Sequence, residues 1–360
     1  MPQRIEVVHF ATNRNLVDEA NGIFGNYYNP YGPYEVRYGE ARIRVPDNVL
    51  DEGGYALDGP PLVAAEAIPG RSAPVGTVPT FGSTRIFDGL RARLMANRSD
   101  LLILIHGFGC SFEVALQRAA ILKAVYGTPD KPLEAAVFCW PSDGRTFAPS
   151  WNAGLGAAYR SDRQDAEASA EAIARSLRRL YAFLHELRQE DRCERRVHLV
   201  AHSMGNYVLR FALQSFARDF PRENMPRIFS NILLVASDED DDAFDTPLKF
   251  GRLHEITTQM HLYYAVTDFA LWISDNTKGN PDRLGNAGPR TLTNLPRRLN
   301  LIDCSDVSDI GGISDADHQF YRARPEVIAD IQGVLAGRPA HRFEGREYVS
   351  AQRAYRLRPA

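Results

Sequence analysis

Residues 196–205 constrain the fold of this chain more than any other stretch. They read Arg-Val-His-Leu-Val-Ala-His-Ser-Met-Gly, and the apolar run 197–201 is typical of a buried strand. Residues 206–217 then carry apolar side chains at helical spacing. The pattern predicts a strand, a sharp turn at Ser203 and a helix.

A serine at such a turn is a candidate nucleophile. The turn would hold Ser203 above the edge of a sheet, with the backbone N–H of Met204 directed toward the group under attack. Small residues are needed two positions to either side, because the strand and helix backbones approach closely. Gly205 satisfies this requirement, whereas Ala201 replaces the usual first glycine of G-x-S-x-G. An ordinary buried strand-to-helix turn would show the same pattern, so this stretch alone leaves both interpretations open.

The composition is that of a globular protein. The 360 residues are 44% hydrophobic and 24% charged, and the net charge of −3 gives no signal for a nucleic-acid partner. The sequence has no run of about 18 uncharged apolar residues and no signal-peptide core, which predicts a cytoplasmic protein without an integral membrane segment. The four cysteines are scattered and form no C-x-x-C pair, so neither disulfides nor a metal site are expected.

From residue 101 onward, apolar strands alternate with helices. Strands are predicted at residues 101–105, 133–140, 197–201, 228–236, 261–267 and 299–304, and helices at residues 112–126, 162–187, 206–217 and 325–335. Strands that are apolar on both faces indicate an α/β fold with a mostly parallel central sheet and helices on both faces. Ahead of them, residues 5–13 and 34–45 predict an antiparallel pair of strands.

Three segments are predicted to lie outside this pattern. Residues 23–34 are rich in aromatic residues, glycine and proline, which favours an ordered loop. Residues 51–84 contain six glycines and five prolines and are expected to form an irregular surface excursion. Residues 338–360 carry six arginines and two glutamates, which suggests a basic C-terminal tail after a single domain at 1–337.

The residues that follow parallel strands share one edge of the sheet, where ligands bind in such folds. In chain order these are the loop His106-Gly107-Phe108-Gly109, Ser203, Asp238, Asp268 and, in the loop before the last helix, His318. A serine nucleophile needs a base to take its proton, and the base needs a carboxylate to orient it. This edge of the sheet offers all three kinds of residue.

Among the nine histidines, His318 is the preferred base because it follows the last strand and precedes the last helix. His202 is next to Ser203 in sequence, but neighbouring residues at such a turn project in different directions. His106 belongs to the glycine loop and is expected to shape it. The competing interpretation of His318 is a solvent-exposed loop residue.

Two carboxylates compete for the role of the acid. Asp268 directly follows the strand before the last one and is preferred. Asp238 follows the preceding strand and begins the acidic run 238–242, which the favourable interaction of acidic residues with a helix N-terminus also explains. The run lacks the spaced ligands and the glycine of a calcium-binding loop.

The glycine loop, the Ala-His-Ser-Met-Gly turn and the order Ser203, Asp268, His318 resemble the α/β-hydrolase superfamily. More narrowly, an uncharacterised bacterial family of esterase/lipase-like proteins is similar over residues 5–335. That resemblance rests on Phe-Ala-Thr-Asn-Arg at 10–14, Cys-Trp-Pro-Ser-Asp-Gly at 139–144, Tyr159 with Asp162 and Arg163, and Thr-Asp-Phe-Ala-Leu at 267–271. It implies an α/β-hydrolase fold, an acyl hydrolase activity and Asp268 as the acid.

The expected function is hydrolysis of a carboxylic ester through an acyl-enzyme. Ser203 would attack the carbonyl, His318 would take and return the proton, and Asp268 would orient the imidazole. The N–H groups of Met204 and Phe108 would bind the oxyanion, and no cofactor or metal is needed. A small acyl ester is the expected partner, although a thioester or amide would use the same parts. The alternative is a catalytically silent binding or scaffold protein with this fold.

Overall fold

The structure is a computed structural model that describes residues 4–65, 82–142, 154–190, 195–221, 223–268, 270–271, 282–293, 295–308 and 318–359. The strands are β1 (Arg4–Thr12), β2 (Arg14–Asp18), β3 (Ile23–Tyr28), β4 (Arg37–Val45), β5 (Ala56–Leu57), β6 (Leu62–Ala65), β7 (Asp100–Ile105), β8 (Leu133–Cys139), β9 (Val197–His202), β10 (Phe229–Val235), β11 (Thr257–Tyr264), β12 (Leu299–Asp303), β13 (Arg346–Val349) and β14 (Ala354–Leu357). The helices are α1 (Gly82–Asn97), α2 (Phe112–Tyr126), α3 (Gly154–Ala168), α4 (Ala170–Glu190), α5 (Met204–Ala217), α6 (Leu284–Ala287), α7 (Ser305–Ser308), α8 (Phe320–Ala323) and α9 (Pro325–Leu335).

The described strands form one large sheet and a separate hairpin. The order in the large sheet is β13-β14-β12-β11-β10-β9-β7-β8-β1-β4-β5, with β6 also paired to β4. The pairings from β1 through β8, β7, β9, β10, β11 and β12 to β14 are all parallel. The predicted mostly parallel sheet and the antiparallel pair formed by β1 and β4 are therefore confirmed.

The connections of β7, β8 and β9 reverse direction within the sheet. The chain passes from β7 to β8 on one side and then returns to place β9 on the other side of β7. The loops after β7 and β9, which are neighbours in the sheet, therefore leave in opposite directions, and the point between these strands is a topological switch point. Ligands of open parallel sheets bind at such points. The glycine loop and Ser203 follow these two strands.

Helices cover both faces of the sheet, as predicted. Successive side chains of a strand point to opposite faces, and in β9 Leu199 belongs to one apolar core whereas Val200 belongs to a second. Helices α1, α4 and α5 contribute to the first core, and α2 and α9 contribute to the second. Among the described helices, none combines the length and apolar character needed to cross a membrane.

Several local predictions differ from the structure. The segment predicted as a loop at 23–34 contains β3, which pairs with β2 through an irregular register. Within 51–84, β5 and β6 pair with β4 and α1 begins at Gly82, while residues 66–81 lie outside the described part. The long helix predicted at 162–187 is divided at Ser169, whose hydroxyl donates to Asp165 O (2.7 Å). Such back-bonding of a serine bends a helix.

Within the segment 338–360, expected to be a peripheral basic tail, β13 and β14 instead extend the central sheet. β14 pairs in parallel with β12, and β13 pairs with β14. Arg346 of β13 makes two hydrogen bonds with Asp330 of α9, Nε to Oδ1 (2.6 Å) and Nη2 to Oδ2 (2.8 Å), and both side chains are buried. Tyr263 OH also donates to Asp330 Oδ2 (2.7 Å). At least one arginine of this segment, Arg346, therefore pairs with a buried carboxylate instead of facing solvent.

Arg346→Ala should lower the free energy of unfolding by about 3 to 5 kcal/mol, because it leaves the Asp330 carboxylate buried without its charged partner. Urea denaturation followed by circular dichroism measures the change. The matched control is Arg342→Ala, an exposed arginine of the same segment, for which a change within about 0.5 kcal/mol is expected. Equal unfolding midpoints for the two variants would contradict the structural role of Arg346.

Candidate active site

Ser203 occupies the turn between β9 and α5 in a backbone conformation that is rare for a residue with a side chain. Its φ is 55° and its ψ is −126°, and the residue is 6% exposed. Such left-handed conformations persist only where the surroundings hold them in place, and they concentrate at functional sites. The predicted sharp turn is therefore present, and it is strained.

Hydrogen bonds from three sides hold this turn. The Ser203 N–H donates to Val235 O of β10 (3.0 Å), and Ser203 O accepts from Asp238 N (3.2 Å). The side chain of Asn206 donates through Nδ2 to Ala201 O (2.8 Å) and Ser203 O (3.1 Å). One buried amide thus connects the end of the strand to the start of the helix.

The glycine loop after β7 packs directly against this turn. A Cβ added to Gly205 would lie 2.3 Å from Ile105 O and 2.8 Å from His106 O, so only glycine fits there. A Cβ added to Gly107 would lie 2.8 Å from the Cβ of Ser203. The backbone after β7 therefore runs beside the serine.

A buried polar network holds the glycine loop from the other side. Asp162 Oδ2 accepts hydrogen bonds from Gly109 N (3.3 Å) and from the Ser142 hydroxyl, whose oxygen accepts from Cys110 N (3.1 Å). Arg14, the fully buried first residue of β2, donates to Cys110 O (2.6 Å) and Ser142 O (3.3 Å). Three distant parts of the sequence therefore fix the conformation of residues 107–111.

His318 and Asp268 form a buried pair. His318 Nδ1 lies 2.7 Å from Asp268 Oδ2, and the other carboxylate oxygen accepts from Leu271 N (3.1 Å). The Asp268 side chain is 0% exposed and that of His318 is 9% exposed. Because a carboxylate accepts, the proton of the neutral ring lies on Nδ1 and leaves Nε2 as an acceptor.

His202 connects this pair to the serine turn. Its Nε2 donates to His318 O (3.1 Å), and the centroids of the two rings are 4.8 Å apart. The ring of Tyr321 also stacks on that of His202, with centroids 4.6 Å apart. Burial, assisted by the neighbouring His318, keeps the pKa of His202 well below its usual value, so the ring stays neutral. His318 is thereby positioned beside the residue that precedes Ser203.

Asp238, the alternative acid, contacts other groups. Tyr159 OH donates to Asp238 Oδ2 (2.6 Å), and Arg283 Nε lies 3.3 Å from Asp238 Oδ1. Burial and the nearby Asp238 raise the pKa of Tyr159, which keeps its hydroxyl protonated as a donor. The two candidate carboxylates therefore have separate partners, and the one that contacts His318 is Asp268.

The predicted oxyanion residues flank the serine. Met204 is the first residue of α5, and its side chain is fully buried. Phe108 follows Gly107, which packs against Ser203, and its ring centroid lies 5.9 Å from that of Tyr159. The turn, the glycine loop and the His318 pair therefore meet at one edge of the sheet.

Strand and helix patterns alone do not predict several residues of this site. Arg14, Asn206 and Asp162 act on the backbone of the site through contacts between segments distant in sequence. For Arg14 and Asp162 the available signal was the resemblance to a family motif, which names the positions without giving their roles. Asn206 has no such signal beyond being a polar residue in the first turn of an apolar helix.

Comparison with known proteins yields one family. Residues 87–338 match the family described as alpha/beta hydrolase of unknown function (DUF900). No curated protein matches the chain. The matched range includes the serine turn, the glycine loop, Asp268 and His318, whereas Arg14 precedes it.

Gly205→Ala should destabilise the protein by about 1 to 3 kcal/mol, because the added methyl would overlap backbone oxygens that cannot move independently. Thermal denaturation measures the effect. The matched control is Gly89→Ala in α1, where the nearest atom to the new Cβ, Glu40 Oε2, is 3.9 Å away. Alanine favours a helix interior, so this control should gain roughly 0.5 to 1 kcal/mol. Similar shifts in both variants would contradict the close approach at Gly205.

Proposed function

We propose that this chain, which belongs to the α/β-hydrolase family of unknown function that matches residues 87–338, is a serine hydrolase that cleaves a carboxylic ester. The observation that carries the proposal is the buried His318–Asp268 pair, with 2.7 Å between Nδ1 and Oδ2, beside the strained turn of Ser203. These are the three components of a serine nucleophile, its base and the acid that orients the base.

In the proposed reaction, the Ser203 hydroxyl adds to the ester carbonyl while His318 Nε2 takes its proton. The tetrahedral intermediate then collapses, and the imidazolium returns the proton to the departing alcohol. A water molecule, deprotonated by the same imidazole, attacks the acyl-enzyme, and the imidazolium returns the proton to the Ser203 oxygen as the carboxylic acid leaves. Asp268 keeps the proton on Nδ1 and stabilises the positive charge that the ring acquires twice per turnover.

The oxyanion would be bound by the backbone N–H groups of Met204 and Phe108. Such donors lower the barrier because they are fixed in place before charge develops on the carbonyl oxygen. Their rigidity is supported by the hydrogen bonds that hold the serine turn and by the network of Arg14, Ser142 and Asp162 around the glycine loop.

The strain at Ser203 favours an enzyme over a silent scaffold of the same fold. A left-handed backbone at a residue with a side chain costs on the order of 1 to 3 kcal/mol. A scaffold protein could replace the serine by glycine, which adopts this conformation without that cost. The pairing of His318 with Asp268 likewise supports an enzyme, because a serine nucleophile needs a base that a carboxylate orients.

Ser203→Ala should abolish labelling by a fluorophosphonate, which the native protein should take up at one serine. Intact-protein mass spectrometry followed by peptide mapping measures the adduct. Ser237→Ala is the control, because this buried serine also follows a strand end but lies outside the turn. An adduct that persists in Ser203→Ala, or maps to another residue, would contradict the assigned nucleophile.

Asp268→Asn should lower kcat for ester hydrolysis by about ten thousandfold, the size of the effect of this change in a serine-protease triad, because it allows the wrong imidazole tautomer. Steady-state hydrolysis of nitrophenyl esters measures it. The control is Asp303→Asn, a buried aspartate at the end of neighbouring β12 that contacts Ser305 and Arg356 instead. Comparable losses in both variants would show that Asp268 has only a structural role.

A further inference from the structure

Arg163 of α3 lies beside the helix that carries the serine turn. Its guanidinium carbon is 3.8 Å from the ring centroid of Tyr207, which follows Ser203 by one helical turn in α5. Stacking on an aromatic face fixes the plane of a guanidinium and leaves its N–H groups free to point outward within that plane. Arg163 is partly exposed, so solutes can reach it.

A short chain of hydrogen bonds connects Arg163 to the backbone of the serine turn. Its Nη1 donates to Tyr159 OH (3.3 Å), which donates to Asp238 Oδ2 (2.6 Å). The backbone N–H of Asp238 in turn donates to Ser203 O (3.2 Å). The position of the guanidinium is thereby coupled to that of the proposed nucleophile.

The charge of Arg163 has no direct carboxylate partner within the part of the chain that the structure describes. Asp238 contacts Arg283 Nε at 3.3 Å, and Arg283 also contacts Asp240. Asp238 is connected to Arg163 through the hydroxyl of Tyr159, which accepts from Arg163 and donates to Asp238. A guanidinium has five N–H donors, and the hydroxyls of Tyr159 and Tyr207 account for two of them.

Arg163 keeps its charge in this environment. Burial alone would lower its pKa, but the neighbouring Tyr159 and Asp238 outweigh that effect, and the pKa is raised above its usual value. The ring of Phe108, in the glycine loop, lies 5.9 Å from that of Tyr159. The cation is therefore linked through Tyr207 to the helix of the nucleophile and through Tyr159 to the loop proposed to bind the oxyanion.

We propose that Arg163 is a specificity-determining residue that binds a carboxylate on the substrate, so that the preferred substrates are esters carrying a free carboxylate. The planar fork of a guanidinium matches the geometry of a carboxylate, and the interaction is strong where the site is partly buried. The proposal deepens the hydrolase function proposed above and rests on it. The carboxylate stays intact, and the reaction at the ester carbonyl is unchanged.

Two esters that differ in one charge test this specificity. Mono-4-nitrophenyl adipate and 4-nitrophenyl hexanoate have acyl chains of the same length, and only the first ends in a carboxylate. The quantity compared is the preference ratio, kcat/KM for the adipate ester divided by kcat/KM for the hexanoate ester. It is measured for the native protein and for Arg163→Gln, Arg163→Lys and Arg179→Gln.

Arg179→Gln is the matched control. Its guanidinium also lies over an aromatic ring, 5.4 Å from the centroid of Phe87, and it donates hydrogen bonds to Ser83 and Thr84 of α1. The native protein should have a preference ratio above one. Arg163→Gln should lower that ratio by about 10- to 100-fold, the value of a charge-assisted hydrogen bond. Arg163→Lys should retain part of the preference, and Arg179→Gln all of it.

The proposal is wrong if the native ratio is one or less, or if Arg163→Gln and Arg179→Gln change it equally. Binding to Ser203→Ala, which should not turn over, separates this result from a failure of the hydrolase proposal. Calorimetric titration of Ser203→Ala with each ester should give tighter binding of the adipate ester, and the added change Arg163→Gln should remove the difference. Absence of that difference contradicts the role of Arg163 even if both esters are hydrolysed.

Discussion

The strained backbone at Ser203 is the constraint on which the rest of the site depends. With φ at 55°, the backbone conformation of Ser203 costs on the order of 1 to 3 kcal/mol. Contacts with the surrounding elements must therefore prevent the turn from relaxing. The opposing contacts come from three elements: Val235 of β10, the segment at Asp238, and Asn206 in α5. Glycine at 205 removes the one methyl group that would push the helix away from β7. Sheet, turn and helix therefore fix the serine together.

A second requirement is that the glycine loop keep its shape beside the serine. The sheet topology brings the loop to the right place, because β7 and β9 are neighbours at a switch point. Its conformation depends on Arg14, Ser142 and Asp162, which lie on three different segments. Burying Arg14 and Asp162 in one network is costly without hydrogen bonds, and Arg14 donates through both terminal nitrogens, although its Nε has no partner among the described residues. These bonds favour a single arrangement of the loop. The conformation of the glycine loop thus depends in part on Arg14, at the start of β2.

The sequence was sufficient to predict the central strands of the sheet and the candidate site residues that follow them. The strands that proved easiest to predict are buried on both faces, as β9 is along its whole length. Because these strands are parallel, the residues that follow them lie at one edge of the sheet. This predicted that Ser203, Asp268 and His318 lie near one another. The choice between Asp268 and Asp238 depended on which carboxylate faces His318, a tertiary contact that local pattern does not determine.

The elements that sequence analysis missed have a common physical reason. β13 and β14 are short, and they carry Arg346 and Arg356, so their composition is typical of a solvated tail. The pairing of Arg346 with Asp330 makes that charge part of the interior. Similarly, the contact of Arg163 with Tyr207 joins residues on two helices, and no periodicity within either helix predicts it.

The central claim is that Ser203, His318 and the backbone donors of Met204 and Phe108 act on one carbonyl group. A crystal structure of the protein after reaction with a fluorophosphonate tests it most directly, since the phosphoryl oxygen of the adduct takes the place of the oxyanion. The account predicts an adduct on Ser203 whose phosphoryl oxygen lies about 2.7 to 3.1 Å from both backbone nitrogens, with His318 Nε2 facing the serine oxygen. A phosphoryl oxygen that points away from both nitrogens, or an adduct on another residue, would contradict it.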